Sequence, residues 1–182
     1  MPVIMVFQKN PELLSISEIS HSLTELLGLT CGVMIDGKKV DIDDYDGATR
    51  ELTQGTIYVD LPDLEEDEGQ PVLDFAATPR LDRDDEMQGF IDEILEQEDS
   101  LRAELDENTR DIMITSSEDP AAIEAASAIA YVVASETESG ILVRTSDEDD
   151  DTVWFADAEQ FADFVFGEEE EVDDEELDDE DE

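Results

Sequence analysis

The sequence predicts an α/β fold of the α+β kind, in which helices flank a mixed sheet and a disordered acidic tail follows. Hydrophobic residues make up 40% of the 182 residues, which is enough to form a core. Along residues 1–167 they recur with the spacing of strands or of helices. Residues 168–182 contain 13 acidic residues and cannot bury enough apolar surface to offset their ordering entropy. We therefore expect one domain over residues 1–167 and a disordered tail over residues 168–182.

In the first half, apolar runs of strand length alternate with helical spacing. Ser15 and Glu18 fit a capping box, and Asp36-Gly37 is a two-residue hairpin turn. The predicted elements are a strand at Val3–Phe7, a helix from Ser15 or Ser17 to Gly28, strands at Cys31–Ile35 and Lys38–Ile42, a helix at Asp46–Gln54, and strands at Thr56–Leu61 and Pro71–Phe75.

The second half predicts three helices and three strands. Pro120 suits the first position of an alanine-rich helix, with Ser117 or Asp119 as its cap. Gly167 suits the end of the last helix. The predicted elements are a helix at Asp82–Leu105, a strand at Asp111–Thr115, a helix from Pro120 to about Ser135, strands at Ile141–Arg144 and Thr152–Phe155, and a helix at Asp157–Phe166.

The order of elements in residues 1–55 is similar to the order in residues 111–167. Ile4-Met5 and Gly32 match Ile112-Met113 and Gly140 at one common offset of 108 residues. This similarity indicates two β-α-β-β-α units joined by the strands and the long helix between them. A coincidence between common elements is the alternative, and the sequence leaves both open.

The charge excludes several classes of function. The chain has 55 acidic and 9 basic residues, a formal net charge of −46. Direct binding to nucleic acid or to an anionic membrane needs Lys and Arg, so we expect neither. There is no apolar run that approaches the roughly 20 residues of a membrane span and no secretory signal, so we expect a cytoplasmic protein.

The candidate chemical groups predict neither an enzyme nor a cofactor. Setting Gly47 at the sixth position of a calcium loop puts Thr53 at the twelfth, where a bidentate Glu is required, so the match fails. His21 is more typical of a surface or partly buried imidazole than of a catalytic base. Cys31 is typical of a small buried thiol, and Trp154 and Phe155 of core packing. We therefore predict no catalytic residues, no metal site and no cofactor.

The acidity itself is the functional signal. Residues 1–167 alone carry a net charge of −33, and carboxylates confined to one surface repel one another. A basic protein partner would offset that repulsion, and the partners that fit are a nuclease or a toxin with a cationic groove. The sequence thus predicts a non-enzymatic acidic binding protein, an inhibitor that mimics nucleic acid or an immunity protein. A salt-adapted (halophilic) cytoplasmic domain and an acidic chaperone of basic proteins are the alternatives, and the oligomeric state is not indicated.

Two acidic runs are the candidate binding surface. They lie on predicted connections between strands, where a partner has access. The residues are Asp63, Glu65, Glu66, Asp67 and Glu68 in the first run and Asp147, Glu148, Asp149, Asp150 and Asp151 in the second.

The C-terminal half resembles small bacterial immunity-type domains. The resemblance rests on the alanine-rich segment Ala121–Ser135, the Gly-led strand in Thr137–Val143, and the aromatic residues before an Asp-Ala-Glu helix in Trp154–Glu159. These motifs are common and cover about 50 residues. The resemblance implies a protein inhibitor, and no binding residue is carried over from it.

Overall fold

The computed structural model describes residues 3–10, 12–62, 64, 70–83, 85–97, 102–147 and 150–167. For residues 86–87, 90, 93–94, 97, 103–104, 106, 144–147 and 150–153 it describes the backbone alone. The predicted tail, residues 168–182, lies outside the described residues.

Eight strands form one sheet in the order β3-β2-β4-β5-β6-β1-β7-β8. The strands are β1 (Val3–Gln8), β2 (Thr30–Ile35), β3 (Lys38–Asp41), β4 (Gln54–Asp60), β5 (Val72–Pro79), β6 (Arg110–Thr115), β7 (Gly140–Asp147) and β8 (Asp150–Ala156).

The α+β class with a sheet flanked by helices is confirmed, but the sheet is antiparallel in every described pair rather than mixed. The helical connection from β6 to β7 does give these strands the same direction. However, β1 lies between them and runs the opposite way, so no parallel pair forms.

Three helices cover one face of the sheet: α1 (Ile16–Leu27), α4 (Pro120–Thr137) and α5 (Ala158–Phe166). The central helix α4 contacts α1, α5 and the sheet, and it is buried on most of its circumference. Its buried positions are mostly alanine, which lets the neighbouring helices approach closely on both sides. This helical layer and the apolar side of the sheet form the main core.

Two further helices, α2 (Asp85–Gln97) and α3 (Arg102–Glu107), pack on the opposite face of the sheet. Ile91 of α2 and Leu105 of α3 lie against Met5, Phe7 and Leu142. These sheet residues belong to β1 and β7. The helices of this layer therefore cover one half of the face, and the half formed by β2–β5 presents mostly polar side chains.

A buried ionic network joins the second layer to the sheet. The Arg83 guanidinium donates from Nε and Nη2 to both carboxylate oxygens of Asp111, and the Nη2–Oδ1 distance is 2.7 Å. Asn108 Nδ2 donates to Asp111 Oδ1 at 2.7 Å. Arg83 precedes α2 and Asn108 follows α3, whereas Asp111 lies on β6. The network therefore holds both ends of the α2–α3 segment to the sheet.

Caps at the helix starts agree with the sequence. Ser15 caps α1 through the predicted capping box: its Oγ accepts from Glu18 N at 3.2 Å, and Glu18 Oε2 accepts from Ser15 N at 2.8 Å. The hydrogen bonds that the Ser15 backbone N–H and the Ser15 hydroxyl donate to the Glu18 carboxylate lower the pKa of Glu18. Asp119 is the cap of α4, with Pro120 in the first turn, and Asp157 caps α5.

The predicted helix at Asp46–Gln54 is wrong. A 3₁₀ helix, η1 (Ile42–Asp44), is followed by turns. Backbone groups of the segment bond instead to the chain that enters α1: Ala48 O accepts from Ser17 N, and Leu52 N donates to Leu14 O, both at 2.9 Å. These tertiary hydrogen bonds satisfy the backbone without a helix.

The predicted helix at Asp82–Leu105 corresponds to two described helices, α2 and α3. Residues 98–101, which lie between them, are outside the described residues. A second 3₁₀ helix, η2 (Arg80–Asp82), precedes α2.

The two proposed repeat units have different arrangements. Residues 111–167 form β6-α4-β7-β8-α5 in the predicted order, whereas residues 1–55 have turns in place of the second helix. One strand separates β6 from β7, but three strands separate β1 from β2. The similarity in element order therefore does not extend to positions in the sheet.

Candidate functional site

The predicted acidic surface falls on two connections of the sheet. The β4–β5 connection contains the first run, Asp63, Glu65, Glu66, Asp67 and Glu68, all of which lie outside the described residues. The β7–β8 connection contains Glu148 and Asp149 of the second run, which also lie outside the described residues. Asp147 and Asp150 form the last pair of the β7–β8 hairpin, and Asp151 lies opposite Ser146.

Strand register places both connections at one end of the sheet, which we call the loop end. At this end β5 begins near Val72 and β6 ends at Thr115, which pairs with Val3 of β1. Val3 in turn pairs with Arg144 of β7, just before the hairpin. Because β6 and β1 separate β5 from β7, the two connections leave the sheet about 14 Å apart. The topology thus brings the two connections, in whose sequence the predicted runs occur, to the same end of the sheet.

The described residues also contain an acidic surface that was not predicted from the sequence. Asp41 of β3, Asp60 of β4 and Asp74 of β5 lie on the half of the sheet that α2 and α3 leave open. Asp41 and Asp74 are exposed, and Asp60 is half-buried. We call this surface, defined by these three carboxylates, the acidic sheet face.

Each of these carboxylates accepts a hydrogen bond from a hydroxyl on another strand. Thr30 Oγ1 donates to Asp60 Oδ2 at 3.1 Å, and Thr56 Oγ1 donates to Asp74 Oδ1 at 2.9 Å.

Tyr58 Oη donates to Asp41 Oδ1 at 2.7 Å. These hydrogen bonds from strand residues fix the orientation of the three carboxylates. Each carboxylate accepts a hydrogen bond from one hydroxyl and keeps acceptor capacity for a cation.

Gly32 makes the hydrogen bond between Tyr58 and Asp41 possible. Tyr58 lies on β4, and β2 separates it from Asp41 on β3. A Cβ at Gly32 would lie 2.4 Å from Tyr58 Oη, so only glycine lets the ring cross this strand. Burial raises the pKa of Tyr58, and the hydrogen bond to Asp41 raises it further, so the hydroxyl stays protonated as a donor.

The ammonium group of Lys39 packs on this surface. Lys39 Nζ lies 4.9 Å from the centroid of the Tyr58 ring, a cation–π distance. The surface therefore accepts an ammonium group beside a carboxylate within the protein itself. In the described residues, no three His, Cys, Asp or Glu side chains are arranged to hold a metal ion.

A cleft of about 520 Å³ lies at the loop end, between the β4–β5 connection and the start of α4. Gln70 and Val72 line one side, and Asp119 and Ala121 line the other. The Asp119 carboxylate accepts from Ala121 N at 2.9 Å as the helix cap. This side chain therefore stabilises α4 and is not free to rotate as an acceptor.

The surroundings of the single histidine and the single cysteine are those of an exposed surface side chain and of a buried core side chain, respectively. His21 is exposed and lies 3.4 Å from Glu25, one turn along α1. Cys31 is buried, and burial raises the pKa of its thiol to about 11, so the thiol stays protonated at neutral pH. Both agree with the sequence-based interpretation.

Comparisons with protein-family models, curated proteins and solved structures found no match to this chain. The resemblance to immunity-type domains therefore stays a prediction. Among the described helices, none combines the length and apolar character that crossing a bilayer requires.

The acidic sheet face had a recognisable signal in the sequence. Thr56, Tyr58 and Asp60 alternate with apolar residues along one strand, which is the pattern of a sheet with one polar face. That pattern does not show which carboxylates on other strands lie beside them, because the register and the strand order are set by tertiary pairing.

Proposed function

We propose that this chain is a non-enzymatic acidic binding protein of the cytoplasm that neutralises a basic protein partner. The partner would be a nuclease or a toxin, bound in the manner of an immunity protein or of an inhibitor that mimics nucleic acid. The acidic sheet face is the observation that carries the proposal: three carboxylates on β3, β4 and β5, each oriented by a hydroxyl donor, with Asp41 and Asp74 exposed and Asp60 half-buried.

The chemistry of such a surface suits a groove that binds phosphates. Neighbouring strands lie about 4.8 Å apart. Carboxylates on three of the four consecutive strands β3-β2-β4-β5 therefore form an array of negative charges, as a nucleic-acid backbone does. The net charge of −46 steers a cationic partner toward the protein and accelerates encounter. Hydroxyl partners that fix the carboxylates reduce the side-chain entropy lost on binding.

Affinity capture with matched variants tests the proposal. The purified chain is immobilised, lysate of the cells that produce it is passed over at about 0.1 M salt, and a salt step elutes the bound proteins for mass spectrometry. The test variant is Asp41→Asn, Asp60→Asn and Asp74→Asn together. The control, Glu12→Gln, Glu25→Gln and Glu124→Gln, removes three exposed charges on the helical side of the fold.

We expect the wild type and the control to retain one basic protein and the test variant to lose it. Each exposed contact contributes about 0.2–1 kcal/mol, so three together weaken binding about tenfold. Equal loss from both variants would mean that net charge alone attracts proteins. Retention of no basic protein by the wild type would contradict the proposed function.

A salt-adapted domain is the second candidate, and one observation favours it. Exposed acids also occupy the helical side, where Glu25 lies on α1 and Glu124 on α4. Acids on all sides of a domain are typical of adaptation to concentrated salt. At 1 M salt the screening length is about 3 Å, so the repulsion among the exposed carboxylates is weak. The two candidates differ in how folding depends on salt.

A further inference from the structure

An exposed aromatic surface lies where α5 meets the edge of the sheet. Phe164 is 75% exposed, and its ring centroid lies 4.7 Å from that of Trp154 on β8. Trp154 is half-buried and also stacks on Phe161, which is fully buried, at 5.8 Å. We call Trp154 and Phe164 the aromatic edge. Because β8 is the last strand of the sheet, this pair is open at the side of the molecule.

The surroundings of the aromatic edge are acidic. Glu159 and Asp163 are exposed on α5, one helical turn apart, and Asp163 directly precedes Phe164. Residues 145–182 contain no Lys, Arg or His. Lys9 is the basic residue that lines the cleft at the start of α5, and it pairs with Glu107 at 3.7 Å. The aromatic edge therefore combines π faces with carboxylates of a single sign.

From this combination we infer that the aromatic edge binds an arginine side chain of a basic protein partner. The guanidinium stacks on Phe164 and Trp154 while its N–H groups donate to the carboxylate of Asp163. Arginine fits better than lysine because its planar group stacks and donates two parallel hydrogen bonds at once. This inference rests on the proposed function and adds a second contact surface and the residue type that it selects.

Charge decides against two other occupants. A second copy of the chain would bring another −46 to the contact, and like charges at the rim oppose association. Residues 168–182 of the same chain carry 13 acidic residues and only Val172 and Leu177 as apolar ones. That segment would place its carboxylates against Glu159 and Asp163, so a cationic segment is the complementary occupant.

Trp154 reports on its own surface because it is the only tryptophan in the chain. Its fluorescence is followed while blocked octa-arginine and octa-lysine peptides are titrated at about 0.1 M salt. The test variants are Phe164→Ala, which removes the ring, and Phe164→Leu, which keeps apolar area without a π face. Leu81→Ala is the control, since Leu81 is 96% exposed and lies in η2 before α2.

For the wild type and Leu81→Ala we expect octa-arginine to change the Trp154 emission and to bind about three- to tenfold more tightly than octa-lysine. Both Phe164 variants should lose this preference while circular dichroism shows the same folded content. Preference retained in Phe164→Leu or in Phe164→Ala would overturn the inference and leave the proposed function standing on the acidic sheet face. A wild-type Trp154 emission that neither peptide changes would overturn the inference, whereas the proposed function is decided separately by the affinity capture.

Self-association is measured on the same samples by sedimentation velocity. A single monomeric species across the concentrations used in the titration supports a heterologous occupant. A dimer that Phe164→Ala abolishes would assign the aromatic edge to a second copy and overturn the inference.

Discussion

Replacement of Asp111 by alanine will lower the free energy of unfolding by about 3–5 kcal/mol, because it leaves the Arg83 guanidinium buried without its counter-charge. The side chains of Arg83 and Asp111 are 6% and 1% exposed, so water cannot replace the lost carboxylate. Asn108 Nδ2 would lose one of its two acceptors at the same time and keep only the carbonyl oxygen of Arg110. Urea unfolding followed by circular dichroism measures the change.

Two further variants serve as controls for the loss of stability expected in Asp111→Ala. Asp111→Asn keeps the shape and one acceptor oxygen, so its loss should be smaller than that of Asp111→Ala. Glu107→Gln breaks the exposed ion pair with Lys9 and should change stability by no more than about 1 kcal/mol. If Asp111→Ala were as mild as Glu107→Gln, the network would not hold the α2–α3 layer to the sheet.

Replacement of Phe161 by alanine will destabilise the fold by about 3–5 kcal/mol. Phe161 is fully buried, stacks on Trp154 and belongs to the main core between α5 and the sheet. Truncation leaves a cavity and removes one of the two rings that contact Trp154, so the Trp154 emission should shift as well. Denaturant unfolding and fluorescence measure both effects.

Phe164→Ala is the matched control for this prediction. It removes the same ring from the same helix, also beside Trp154, but from a position that is 75% exposed. Its cost should stay below about 1 kcal/mol, because little apolar surface is returned to water. Equal losses from the two substitutions would contradict the assignment of Phe161 to the core and of Phe164 to the surface.

Periodicity predicted most elements because each signal is local. The alternation in Thr56–Leu61 and the capped helix after Ser15 both follow from residues within one element. The helix predicted at Asp46–Gln54 failed because its backbone bonds to Leu14 and Ser17, which lie more than 30 residues earlier in the chain. The antiparallel character of the sheet depends on β1 inserting between β6 and β7, which local pattern cannot show.

The sites were predictable only in part, for the same reason. The sequence identified acidic runs on two connections, and the register places both connections at the loop end. The acidic sheet face depends on Tyr58 crossing Gly32 to reach Asp41. A similar contact occurs at Gly140, where a Cβ would lie 2.3 Å from the Phe155 ring. Glycine at these strand positions is a signal for an aromatic neighbour, but not for which one.

Trp154 and Phe155 were given one interpretation from the sequence, but the structure places them on opposite faces of the sheet. Core packing was predicted for both, and Phe155 does pack against the cluster below α2 and α3. Trp154 faces the other side of the sheet, where it is half-buried between Phe161 and Phe164. Successive strand residues point to opposite faces, so adjacent aromatics have different roles.

The dependence of folding on salt tests most directly whether the carboxylates serve a cationic partner. Urea unfolding, which adds no ions, is measured at about 0.1 M and about 2 M sodium chloride by circular dichroism. We predict a cooperative transition with a folded baseline at the lower salt concentration, because a domain made to meet a basic protein must fold before it binds. A chain that is already unfolded without urea below about 1 M salt would contradict this account, since its acids would then serve a salt-rich environment instead.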